Sequence, residues 1–254
     1  MAEATVGGMP RVKRVRIGML TPSSNTVLEP ALARMAADVP GLSLHFSRFR
    51  VTQISLDAAG LGQFAFAPMV AAAELLADAE VDAIAWNGTS AAWLGFTRDE
   101  ELCRRIAAAT GVPATSSTLA FRDAFGALAV RRVGLVTPYT ADVQDRIRSN
   151  WAEAGFPCTA ERHLGLSDNF AFAGVDGEAV AALVREVAAE GCDAAAVVCT
   201  NMRGAEAAPF LERELGIPVL DSVAVTLWGV LGLAGADLSP LAPLGRLFAR
   251  GGRA

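Results

Sequence analysis

The sequence predicts an α/β protein built from two similar doubly wound parallel-sheet halves, related by a pseudo-twofold axis, with the active cleft between them. Three pairs of segments predict it. "RIGMLTPSS" from Arg16 matches "RVGLVTPYT" from Arg132, "DAIAWNGTS" from Asp82 matches "DAAAVVCTN" from Asp193, and "GVPATSSTLA" from Gly111 matches "GIPVLDSVAV" from Gly216. The partners keep their order and lie 116, 111 and 105 residues apart, which a duplication with small deletions explains. The first half is placed at 11–128 and the second at 129–222. The C-terminal helical stretch 223–250 is expected to complete the first half.

Along the chain, "RVKRVR" at Arg11 to Arg16 alternates basic residues with valine and reads as the exposed face of a first strand. "VRIGML" and "RVGLVT" are continuous apolar runs of strand length that end in turn formers, as parallel strands covered on both faces do. "FAPMVAAAELLADA" before Val81 and "ELCRRIAAAT" before Gly111 have helical spacing, and Gly111 sits where a helix stop belongs. "SVAVTLWGVLGLAGA", ending at Ala236, is too short and too rich in small residues for a membrane span and reads as a buried helix. "FAFAP" at Phe64 to Pro68 suits either core or an interface between copies, so a homo-oligomer stays open.

Composition excludes several functions. The 254 residues carry a net charge of −5 and no extended basic cluster, which argues against a nucleic-acid partner. The four cysteines have no CxxC spacing, and "MAEATVGGMP" lacks the apolar core of a signal peptide, so a reducing cytoplasm is the expected compartment. The only two histidines, His45 and His163, have no ligand partner at helical spacing, so no metal is expected. "AGLGQF" at Ala59 to Phe64 is a lone glycine pair, too weak for a dinucleotide loop, and neither a P-loop nor a GxSxG elbow is present.

In open α/β sheets ligands bind beyond the C-terminal strand ends. That rule gathers four turns around one cleft: Thr21 to Asn25, Asn87 to Ser90, Thr137 to Tyr139 and Cys199 to Asn201. All are rich in small hydroxyl or amide groups. Hydroxyls and backbone N–H groups at helix starts favour anions, carboxylates first, and would stabilise an enediolate. Cys199 sits in such a turn, feeding an expected helix start, with an ordinary thiol pKa of about 8.5 that suits proton exchange. Cys103, Cys158 and Cys192 fall within helix or strand bodies and read as small buried hydrophobes. Asp221-Ser222 reads as a helix N-cap, and Trp86, Trp93 and Phe96, which flank the Gly88 turn, read as core, with a place for one of them in the pocket wall.

"GMLTPSSNTVLEP", "WNGTS", "TPYTADV", "LSDNFAFAGV" and "VVCTNMRG", in that order, resemble the aspartate/glutamate racemase superfamily, and within it the maleate isomerase and arylmalonate decarboxylase branch. The resemblance runs from about Arg16 to Trp228. Racemases of this kind face the substrate carbon with two cysteines, one from each half, whereas this chain has Gly88 at the first position and Cys199 at the second. That glycine-plus-cysteine pattern is the arylmalonate decarboxylase one. The resemblance implies a cofactor-independent decarboxylase of a substituted malonate or similar small diacid. Thr89, Ser90, Tyr139 and the Thr200 backbone N–H would hold the retained carboxylate, Cys199 would donate the proton, and Pro22 would lie in the wall. Ser24, Asn25 and Asn169 match the maleate isomerase pattern instead and imply a polar place for a second carboxylate. A cis-trans isomerase or another lyase of a small dicarboxylate is thus the alternative reading, and a non-catalytic dicarboxylate-binding protein the second.

Overall fold

In the computed structural model, which describes residues 14–249, each half lays four parallel strands in one order. The first sheet runs β2-β1-β3-β4, from β1 (Val15–Pro22), β2 (Leu42–Phe49), β3 (Ala83–Trp86) and β4 (Ala114–Ser116). The second runs β6-β5-β7-β8, from β5 (Val133–Thr137), β6 (Cys158–His163), β7 (Ala194–Val197) and β8 (Val219–Asp221). In both, the first strand of the half sits inside the sheet and the chain winds outward both ways, so the doubly wound expectation holds. Helices α1 (Leu28–Ala36), α2 (Ala58–Gly62), α3 (Phe66–Ala77), α4 (Ser90–Leu94), α5 (Phe96–Thr110) and α6 (Ser117–Ala127) belong to the first half. Helices α7 (Ala141–Glu153), α8 (Gly177–Ala189) and α9 (Ala208–Leu215) belong to the second.

The repeated residues have repeated jobs. Asp82 accepts the N–H of Arg16 at 2.7 Å, and Asp193 accepts that of Arg132 at 2.9 Å, so each aspartate pins the start of the neighbouring central strand. Gly111 and Gly216 each stop a helix, both at φ +72°, a left-handed conformation that disfavours a side chain. A Cβ on Gly134 would meet Cys192 Sγ at 2.8 Å and Val187 at 2.9 Å, so that glycine lets α8 lie close on the sheet.

Two expectations need correction. The first strand begins at Val15, because Arg14 is irregular and exposed, and Arg11 to Lys13 lie outside the described residues. The C-terminal stretch is not one helix. It is α10 (Ser222–Leu233), a 3-10 turn at Ser239–Leu244 and a short α11 (Arg246–Ala249), broken by Gly235 at φ +63° and interrupted by Pro240 and Pro243. α10 is buried, and it packs on α6, β4 and β3 of the first half. The helical stretch Ala58–Ala77 reaches a mean hydropathy of 1.4 over 18 residues. The fold divides that stretch into α2 and α3, and α3 packs against β1, β2 and α5.

Candidate active site

The C-terminal ends of the central strands of both sheets meet, and polar side chains cross between them. The Thr89 and Tyr139 hydroxyls are 2.7 Å apart, Asn25 Nδ2 donates to Thr200 Oγ1 at 3.1 Å, and Thr200 Oγ1 donates to the Asn87 carbonyl at 3.1 Å. Asn201 Oδ1 accepts the N–H groups of Thr26 and Val27 at 3.0 and 3.2 Å. These bonds stitch four sequence-distant turns into one buried floor. Strand register puts them level: Leu20 lies beside Trp86 and Trp86 beside Ser116, as Val136 lies beside Val197 and Val197 beside Asp221.

One pocket is lined by Pro22, Gly88, Thr89, Ser90, Tyr139, Asn169, Cys199 and Thr200, all expected from the sequence, together with Val51, Ile54, Phe64, Trp86 and Trp93. The space a water centre can reach inside is only about 20 Å³, room for about one water. Ser24 and Asn25 stand behind the lining. Asn25 Oδ1 accepts the Val27 and Leu28 N–H groups at 3.0 and 2.9 Å and so caps the start of α1. Ser24 Oγ donates to the Val51 carbonyl at 2.7 Å and accepts from Asn169 Nδ2 at 2.7 Å. Asn25 thus sets the Thr200 hydroxyl, and Ser24 sets the Asn169 amide.

Val51 and Ile54 come from a strap that no local pattern announced. After β2 the chain crosses to the second half, where Ile54 N–H donates to the Ser167 carbonyl at 2.8 Å and Asn169 N–H to the Thr52 carbonyl at 3.0 Å, closing a bridge between Gln53 and Asp168. Gln63 holds the strap from below: its Oε1 accepts the Thr52 N–H at 2.7 Å and its Nε2 donates to the Gln53 carbonyl at 2.9 Å. The strap, Phe64 and Trp93 give the pocket an apolar side, and Trp93 stacks edge-on against Tyr139 at 5.2 Å between ring centroids.

Cys199 is 2% exposed, and its setting differs from the expected one in two ways. No helix starts beside it, since residues 200–207 form turns before α9, so no helix dipole lowers its pKa. Burial instead pushes the thiol up to about 12, partly offset by the Asn201 N–H, 3.4 Å from Sγ, and by the Tyr139 hydroxyl. At neutral pH the group is therefore a thiol, an acid rather than a nucleophilic thiolate. Burial also holds the Tyr139 hydroxyl far above its ordinary pKa, so it stays a donor. Asp221 is the expected N-cap of α10, accepting from Val223 and Ala224 N–H at 2.8 and 3.4 Å, and burial raises its pKa to about 7. Its negative charge, when present, further opposes ionisation of Cys199. The indole N–H groups of Trp86 and Trp93, two residues of the pocket wall, are buried without a hydrogen-bond partner.

The other cysteines lie away from this pocket, Cys103 in α5, Cys158 at the start of β6 and Cys192 before β7.

The profile of the family described as arylmalonate decarboxylase matches residues 25–248. The arylmalonate decarboxylase of Bordetella bronchiseptica is 30% identical over 243 residues, covering 94% of this chain and 99% of that protein. Among solved structures, a cysteine-to-serine variant of the Nocardia farcinica maleate cis-trans isomerase with a covalently bound succinylcysteine intermediate superposes with a TM-score of 0.85 at 26% identity, covering 93% of this chain and 98% of that one. A liganded arylmalonate decarboxylase with one glycine changed to cysteine and one cysteine to serine gives 0.79 at 27% identity, covering 92% and 98%. With its two matched sheets and its pocket at their facing strand ends, the chain belongs to the arylmalonate decarboxylase family, on the branch shared with the maleate isomerases.

Proposed function

We propose that the protein is a decarboxylase of a substituted malonate or a similar small diacid, working without a cofactor. The observation that carries this reading is Cys199, a buried neutral thiol beside the Tyr139 hydroxyl and the only cysteine in the pocket wall. The Thr89, Ser90 and Tyr139 hydroxyls and the Thr200 backbone N–H hold the carboxylate that is kept. The bond to the other carboxylate breaks, CO₂ leaves, and its electron pair enters the enediolate that the same donors stabilise. The Cys199 S–H then delivers its proton to the α-carbon, and water returns a proton to the thiolate. Val51, Ile54, Phe64 and Trp93 form the low-polarity side where a leaving carboxylate loses solvation.

The second reading, a cis-trans isomerase of a small dicarboxylate, is favoured by the Asn169 amide in the wall. It meets a chemical difficulty: the Nocardia farcinica variant forms its succinylcysteine although one cysteine has been replaced, so a thiol other than that one forms the bond. This pocket has one thiol, and it is held neutral.

A panel of phenylmalonate, methylmalonate derivatives and maleate, without metal or nucleotide, separates the two readings. CO₂ release from a malonate is expected. Conversion of maleate to fumarate alone sinks the decarboxylase, and a chain that binds diacids but turns over none is a binding protein.

A further inference from the structure

Around the pocket the two halves differ at more than the Gly88–Cys199 pair. Where the second half ends its strand Val197-Val198-Cys199, the first ends Trp86-Asn87-Gly88. Gly88 does not need to be glycine for its backbone, because its φ lies outside the left-handed region. It needs to be glycine because of Trp86. A Cβ built on Gly88 would stand 2.5 Å from Cε2 and Cη2 of the indole and closer still to Cζ2, contacts that real side chains do not make. The ring has little freedom to withdraw: Trp86 is 1% exposed and packs against Phe49 with centroids 5.0 Å apart.

We propose that Trp86 is the specificity-determining wall of this site: its indole fills the seat that a first-half thiol would occupy and closes the face of the substrate carbon opposite Cys199, so that protonation comes from one side only. The steric part stands on the geometry alone, and the chemical part rests on the decarboxylase reading. When the enediolate takes its proton, the electron pair forms the new C–H bond on the Cys199 side and the thiolate is left behind. The opposite side presents an aromatic ring and an indole N–H far too weak an acid to compete. The second half shows the alternative. Val197, at the strand position equivalent to Trp86, is small enough for a thiol two residues on, so Trp86-Gly88 and Val197-Cys199 are matched pairs.

The test is a double-mutant cycle of Trp86→Val and Gly88→Cys, read first by thermal midpoint. Gly88→Cys alone should lower the midpoint by about 5 °C or more through overpacking. Combined with Trp86→Val, the loss should be clearly smaller than the sum of the two single losses. A parallel cycle with Gly88→Ala, which adds the Cβ alone, reads the same coupling should a cysteine variant fail to fold. The second readout is deuterium uptake in D₂O by enantiopure 2-phenylpropanoate, the acid left when methylphenylmalonate loses CO₂. The double variant should exchange at least about tenfold faster than wild type or Gly88→Cys, and Cys199→Ala in that background should abolish the gain. Additive stability losses, or equally fast exchange in Gly88→Cys alone, would overturn the proposal. Stability coupling without any exchange or malonate turnover upholds the steric assignment and removes the decarboxylase reading instead.

Discussion

The turn after β3 and the turn after β7 are the same piece of backbone used twice for different purposes. Each follows a four-residue strand at the centre of its sheet, opened by an aspartate that pins the neighbouring strand. The second turn presents the Cys199 thiol, beside the Tyr139 hydroxyl and the Asn201 N–H. The first presents hydroxyls, Thr89 and Ser90, and beside them the bulk of Trp86 over Gly88. On the decarboxylase reading, the duplication supplied two equivalent places beside one substrate carbon, and the differing side chains make one of them the proton donor and the other the wall. A symmetric scaffold yields a one-sided reaction when its symmetry is broken at the residues that touch the carbon.

The largest break in this comparison comes from removing the acid from the half that has it. Cys199→Ala leaves both halves without a proton donor and should cut kcat by about a hundredfold or more, the usual scale for loss of a positioned acid, with an unchanged circular dichroism spectrum. Cys199→Ser should be nearly as slow, since a hydroxyl is a much weaker acid than a thiol. Activity above about a tenth of wild type in the alanine variant would mean that the proton comes from elsewhere.

Tyr139 is the hydroxyl that joins the two turns, bonded to Thr89 of the first and beside Cys199 of the second. Tyr139→Phe should lower kcat by about tenfold or more while changing KM less, because the lost donor serves the enediolate more than the bound acid. An equal rise in KM with kcat intact would place its role in ground-state binding. The pH profile sharpens the same contrast. A thiol whose pKa is raised to about 12 remains an acid at every pH below that value, so kcat should stay level on the alkaline side until pH approaches about 12. A rate that climbs steadily from neutral pH would instead mark a thiolate nucleophile.

The parts of this arrangement that could be read from the sequence are those held in repeated local pattern. Gly111 was legible as a helix stop because left-handed caps select glycine, and Cys199 stood out because its repeat partner is Gly88. The strap was not legible. Ile54 is held at the pocket by the pairing of residues 52–54 with 167–169, more than a hundred positions away, and Val51 by Ser23 and Ser24; nothing in "VTQIS" encodes those partners. The thiol's environment was missed for a related reason: a turn looks alike in sequence whether or not a helix follows at once, and burial depends on both halves together. Trp86 was visible as an aromatic beside Gly88, but only side-chain packing reveals that its ring makes the glycine necessary.

The smallest expected effects concern the caps of the two halves' equivalent helices. Ser116 caps α6 by accepting the Leu119 N–H at 3.1 Å, and Asp221, its repeat partner, caps α10. Ser116→Ala should cost about 1 kcal/mol, a fall in Tm of about 2–4 °C, and somewhat more above about pH 7, because the Ser116 hydroxyl also bonds the Asp99 carboxyl and favours its charged form. Asp221 behaves differently because it carries a charge into a fully buried site. Its folded pKa of about 7 lies above the unfolded value near 4, so its contribution to stability is complete below about pH 4 and is lost as pH rises through about 7. Asp99 of the first half, buried and likewise raised to about 7, adds a decline of the same sign. Asp221→Asn keeps an acceptor for the Val223 and Ala224 N–H groups but cannot ionise. Its Tm should therefore fall less than that of wild type between pH 4 and pH 7, with the remainder of the decline left to Asp99. Parallel curves for wild type and Asp221→Asn would show that the cap carboxyl does not titrate in that range, and the contrast between the two caps would then reduce to hydrogen-bond geometry alone.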